Sequence, residues 1–136
     1  MSATERERAR FIAAYIECAL WSTNDQSDER GGEPLDQNYG PEDLSSATRE
    51  AMERECGAFL AAMADTIDAA EVSEGEYDRY SRAGHDFWLT RNYHGAGFWD
   101  GDWSEPEASA LDAASKAAGE RDLIVGDDGE IHQCEE

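Results

Sequence analysis

Apolar residues return at helical spacing in the first stretch of the chain. Phe11, Ile12, Tyr15, Ile16, Ala19 and Leu20 fall on one stripe, with Glu7, Arg8, Arg10 and Glu17 mostly on the other side. The pattern predicts a helix over 3–21, and Ser2 with Glu5 has capping-box spacing at its start. Residues 24–40 break the period with Asp25, Asp28, Gly31, Gly32, Pro34, Asp36 and Gly40, so they read as a long, mobile surface loop. A second helix is predicted over 41–70. Pro41 suits a first turn, Glu42 and Asp43 complement the helix dipole there, and Met52, Cys56, Phe59, Met63, Ile67 and Ala70 form its buried stripe.

The pattern then shortens. Residues 72–84 are polar, with Tyr77 and Tyr80 three apart, as in a short helical turn. Residues 87–91 and 97–100 read as two strands joined by a turn over 92–95. Ser104 with Glu107 repeats the S-x-x-E spacing, and Pro106 fits a first turn, so a third helix is expected up to about 118, ended by Gly119. A second hairpin is expected where 123–125 and 131–133 flank Gly126, Asp127, Asp128 and Gly129. The predicted order is α-α-β-β-α-β-β, an α+β fold with a small antiparallel sheet and helices on one face. The 136 residues fit one domain over 1–136, with a helical part over about 1–80 and a hairpin-rich part over about 84–134.

Charge changes the picture more than any motif. Thirty-two acids oppose eleven bases, a net charge of −21 at pH 7. A small domain ordinarily carries an imbalance of about 2–8. Self-repulsion at this level costs stability and calls for compensation by a basic partner, salt or cations. It also argues against direct contact with nucleic acid. A disordered acidic tail is excluded by the 40% hydrophobic content and the four Trp, four Phe and five Tyr. Cys18, Cys56 and Cys134 show no CxxC spacing, and the first two lie on predicted helix faces as small buried hydrophobes, which fits a reducing compartment. The first ten residues are charged and lack a signal-peptide core, and no apolar run approaches the roughly 18 residues of a membrane span. A cytoplasmic protein is expected.

The segment Gly84-His85-Asp86-Phe87-Trp88-Leu89-Thr90-Arg91-Asn92, followed by His94-Gly95-Ala96-Gly97-Phe98-Trp99-Asp100, resembles a motif in small uncharacterised proteins of bacteriophages and their hosts. A short helix and a stretch like residues 123–131 often follow in those proteins, as here. The resemblance covers 84–132. It implies a phage or prophage setting and carries no activity with it.

Two constellations remain. His85, Asp86 and His94, with Asp100 and Asp102, are residue types that bind zinc or iron or act as acid and base, although their spacing matches no strong signature. Asp127, Asp128, Gly129 and Glu130 resemble half of a calcium loop, but the other ligand positions are missing and turn chemistry suffices. The acids themselves form two patches. One is Asp65, Asp68, Glu71, Glu74, Glu76 and Asp78, with no base between them. The other is Asp100, Asp102, Glu105 and Glu107, with Trp103 among them, either an exposed anchor for a partner or part of an aromatic core hairpin with Phe87, Trp88, Phe98 and Trp99. Acids three apart on one helix rise about 4.5 Å each, comparable with the roughly 3.4 Å axial rise between phosphates of one duplex strand.

The expected function is therefore that of a DNA-mimic inhibitor without enzymatic activity or cofactor. Its carboxylates would occupy the basic DNA-binding groove of a host protein such as uracil-DNA glycosylase, a restriction nuclease or a CRISPR effector. Three other readings fit the same residues: a small metal-dependent enzyme on His85, Asp86 and His94, a generic acidic binding module, and adaptation to high salt.

Overall fold

A computed structural model describes residues 4–24, 33–72, 78–93, 97–98 and 103–135. The first helix, α1 (Glu5–Ser22), is started by Thr4. The Thr4 hydroxyl accepts from the Glu7 N–H and the Glu7 carboxylate accepts from the Thr4 N–H, a reciprocal capping box. The cap is the same chemistry expected of Ser2 and Glu5, moved two residues along the chain.

After α1 the backbone extends at Thr23. Asn24 bridges Pro34, the Leu35 N–H donates to the Thr23 carbonyl at 2.8 Å, and the Leu35 side chain is buried. The predicted loop over 24–40 is thus anchored at both ends of its described part and carries a 3-10 turn at Leu35–Gln37. Residues 25–32 lie outside the described residues. The second helix does not begin at Pro41. Pro41–Asp43 form a separate 3-10 turn, Leu44 and Ser45 extend to pair with Ile131, and Ser45 then caps α2 (Ser46–Ala69) through the Thr48 N–H.

The expected hairpin over 87–100 is replaced by a helix, α3 (Arg79–Arg91), capped by the Asp78 carboxylate on the Ser81 N–H. Phe98 is buried in a turn, not a strand, and residues 99–100 lie outside the described residues. The run Phe87-Trp88-Leu89-Thr90 has strand propensity, but burial decides the outcome. Tyr80, Ala83, Gly84 and every residue from Asp86 to Arg91 are buried, so this end of α3 has no polar face to mark its period.

The remaining elements come in the expected order, but the next helix begins at Glu107, with Pro106 at its N-cap and no capping side chain, instead of directly behind Ser104. The fourth helix, α4 (Glu107–Ala117), is followed by Gly119 at φ +85°, the left-handed position that glycine takes without strain. A two-stranded antiparallel sheet closes the chain: β1 (Arg121–Val125) pairs with β2 (Ile131–Glu135), Leu123 opposite Gln133. The architecture is α+β, with four helices preceding one hairpin among the described residues. A lone hairpin is marginal by itself. Here Leu123 and Ile131 enter the core, and the Gln133 N–H donates to Thr48 of α2.

The core is aromatic and centres on α3. Phe87 stacks on Phe59 with ring centroids 4.1 Å apart and contacts Phe11 and Tyr15, while Phe98 meets Trp103 edge-on at 5.1 Å. The Trp88 indole N–H donates to the Ser22 hydroxyl at 2.7 Å. Among the described residues no helix is long and apolar enough to cross a membrane.

Candidate interaction surface

The first acid patch spans two helices and the break between them. Because α2 stops at Ala69, only Asp65 and Asp68 keep the helical spacing, and the run is not one rigid rod of evenly spaced carboxylates. Asp65 is exposed, and the Asp68 carboxylate accepts from the Tyr80 hydroxyl at 2.7 Å. Arg79 donates to the carbonyls of Ile67 and Asp68, which closes the C-terminal end of α2. Asp78 caps α3 and lies 3.8 Å from Arg10. Slight burial works against its ionisation, but the hydrogen bonds from Ser81 and the Arg10 guanidinium hold the Asp78 carboxyl below its usual range. Glu74 and Glu76 lie outside the described residues.

In the second patch, Glu105 accepts from the N–H and hydroxyl of Ser109, and Glu107 accepts from the Ser104 hydroxyl at 2.8 Å. Asp100 and Asp102 lie outside the described residues. Trp103 is not an exposed anchor. It is 3% exposed, and its indole N–H donates to the Asp86 carboxylate at 2.7 Å. Among the described residues the exposed tryptophan is Trp21, at 55%.

The two patches meet. The Ser104 N–H donates to the Glu71 carbonyl at 2.8 Å, the Glu71 N–H donates to the Ser104 hydroxyl at 2.8 Å, and Val72 bridges Trp103. This pairing sets the C-terminal end of α2 beside the N-terminal end of α4, and Tyr80 and Arg79 tie the start of α3 to Asp68. The donors to Asp68, Glu105 and Glu107 are hydroxyls and an amide, which orient a carboxylate without cancelling its charge.

The His85 set does not assemble among the described residues. His85 Nδ1 is 3.7 Å from the Asp86 carboxylate, but Asp86 is 7% exposed and engaged by Trp103, and His94 lies outside the described residues. A different group lies in the β1–β2 turn, where the ligand atoms of Asp128, Glu130 and His132 fall within 4.8 Å of one another. Sequence reading placed Asp128 in a turn and left out His132, which joins it only because the hairpin folds back. The Glu130 N–H, then the His132 ring, hold the Asp128 carboxyl below its usual range. A depressed carboxyl pKa stabilises the fold above the unfolded value and loses that contribution as pH falls through the folded one. Asp128→Asn is therefore expected to flatten the fall in stability between about pH 5 and about pH 2. Denaturant titrations across that range check it, and an unchanged slope would remove the role.

A groove that no motif announced runs along the outer side of α1. Its floor is Ala9, Ile12, Ala13, Ile16 and Leu20, its far wall Tyr39 and Pro41, and its volume about 710 Å³. Glu5, Glu17, Asp36 and Glu53 stand around it with Arg8 and Arg49. Both arginines are turned onto backbone carbonyls, Arg49 to Pro41 at 2.8 Å and Arg8 to Glu53 at 3.5 Å. The signal in the sequence was the width of the apolar stripe, since Ala9 and Ala13 extend it past the face that meets the core. Compared with known proteins, the chain matches no family model, no curated protein and no solved structure.

Proposed function

We propose that the chain is a non-enzymatic acidic binding protein of a phage or prophage. In this reading it inhibits a host DNA-processing enzyme by occupying that enzyme's basic DNA-binding groove. The observation that supports the reading best is the union of the two acid patches through Glu71 and Ser104, which gathers Asp65, Asp68, Glu71, Glu105 and Glu107 from separate stretches of sequence. A net charge of −21 adds long-range attraction to any basic cleft. Three free cysteines fit action in the host cytoplasm. The break of α2 at Ala69 favours a second form of the same idea, an acidic module that fits a basic protein surface without copying duplex geometry.

The test is a pull-down from bacterial lysate at moderate salt, followed by mass spectrometry. Stoichiometric retention of one DNA-processing enzyme, released by duplex DNA and weakened in the variant Asp65→Asn/Asp68→Asn/Glu71→Gln/Glu105→Gln, is expected. Retention that DNA does not compete away, but that the same variant weakens, selects the module form. A smear of basic proteins, or none, would overturn both.

A further inference from the structure

We infer that the groove along α1 receives an amphipathic helix with basic flanks, presented by the protein's partner. The inference rests on the proposal that the partner is basic, and it adds a second, apolar anchor that gives specificity where charge alone does not discriminate.

The geometry sets the size of the occupant. From Ala9 to Leu20 the floor covers eleven residue steps, or about 17 Å of helix axis, which matches about three turns of a partner helix. The small Ala9 and Ala13 are exposed beside the half-buried Ile12 and the buried Ile16 and Leu20. Side chains at i, i+3, i+4 and i+7 of a facing helix fit such a surface.

Charge sets its sign. Glu5 and Glu17 stand toward the two ends of the floor, with Asp36 and Glu53 at the sides. The two rim arginines, directed at the carbonyls of Pro41 and Glu53, keep their charge, and four carboxylates against two guanidiniums leave the rim net negative. This rim disfavours a fatty acid or an anionic lipid surface and favours lysine or arginine on the flanks of an apolar stripe. A second copy of a chain at −21 would be repelled. Residues 25–32 (Asp-Gln-Ser-Asp-Glu-Arg-Gly-Gly) carry no large apolar side chain to fill the groove.

The probe is a synthetic Leu/Lys peptide of about fourteen residues, spanning about four turns, with Leu at i, i+3, i+4 and i+7. A peptide of the same composition in scrambled order controls for charge. Titration calorimetry on the full chain is expected to show at least about tenfold tighter binding of the amphipathic peptide. Ala13→Trp fills the groove from an exposed position, and circular dichroism checks that it folds. It is expected to cost about tenfold in affinity for the amphipathic peptide and to leave the scrambled one unchanged. The acid-patch variant is expected to keep the preference for the amphipathic order. Equal affinity for the two peptides, or an Ala13→Trp chain that binds as before, would overturn the inference. So would concentration-dependent dimerisation abolished by Ala13→Trp, which would give the groove to a second copy. Should Ala13→Trp bind the lysate target normally while the acid-patch variant loses it, the groove fails and the proposed function stands. Should neither capture a target, the proposed function fails independently of the peptide result.

Discussion

Arg91→Met is expected to destabilise the fold by about 3–5 kcal/mol in urea titrations at neutral pH. Arg91 is 0% exposed and is the polar centre of the molecule. One terminal nitrogen donates to Glu55 at 2.7 Å and to the Tyr15 hydroxyl at 3.0 Å. Its other nitrogens donate to the Gly119 and Ala118 carbonyls, at 2.7 and 2.9 Å, where α4 ends. The guanidinium also lies 5.0 Å above the centre of the Phe87 ring. Methionine fills much of the volume but leaves two helix-terminal carbonyls and a tyrosine hydroxyl without their donor. Glu55 keeps Arg121 at 3.2 Å and Gln133 at 2.9 Å, so the loss falls mainly on the buried acceptors. Lysine restores the charge but not the planar fork, and Arg91→Lys is expected to recover less than half of the stability. A loss under about 1 kcal/mol for Arg91→Met would mean that the network contributes geometry rather than stability.

The same residue shows where the sequence stopped being legible. Helices α1, α2 and α4 and the β1–β2 hairpin each combine a period with a local start or stop signal: Thr4 and Glu7, Ser45 and Thr48, Gly119, and the Gly126–Gly129 turn. Those signals act within a few residues, so they can be read along the chain. Helix α3 has such signals too, in the Asp78–Ser81 cap and in the spacing of Tyr80, Ala83, Phe87 and Arg91. The β-propensity of Phe87 to Thr90 outweighed them because nothing local says that this run will be covered on every side. Arg91 itself looked like the polar end of a strand. Its partners at 15, 55, 118 and 119 are distant in sequence, and only folding brings them to it.

The charged surface divides in the same way. Net charge and the two acid runs are properties of the chain and could be counted. Their meeting depends on the pairing of Glu71 with Ser104, 33 positions apart. Trp103 stood among acids and so suggested an anchor, but its indole N–H is used on the buried carboxylate of Asp86. The groove depends on what the segment from Leu35 to Pro41 does after α1 ends, and the period of α1 alone does not reveal that. The apolar groove and the acid residues around the Glu71–Ser104 pairing share no residue, so they can be altered separately.

Gly84→Ala and Gly57→Ala are expected to move stability in opposite directions, although both place a methyl group inside a helix. Alanine gains about 1 kcal/mol over glycine in a helix interior by propensity alone. At Gly57 in α2 that gain should survive. The nearest atom to the new Cβ is the Arg8 guanidinium at 3.1 Å, the far end of a flexible side chain that shifts at little cost. At Gly84 in α3 the new Cβ would come within 2.1 Å of the Phe11 carbonyl oxygen and 2.9 Å of its carbon. That obstacle is the backbone of α1, which cannot rotate away, so the two helices must separate and loosen the stack of Phe11, Phe59 and Phe87 between them. Overpacking of this kind costs about 1–3 kcal/mol or more, and a backbone clash belongs at the upper end. The net expectation is a loss of about 2 kcal/mol or more for Gly84→Ala, against no loss or a gain of up to about 1 kcal/mol for Gly57→Ala. Urea midpoints at unchanged m-value read both directly. Equal effects at the two positions would mean that α1 and α3 do not pack at backbone contact, and the aromatic core would have to be arranged differently.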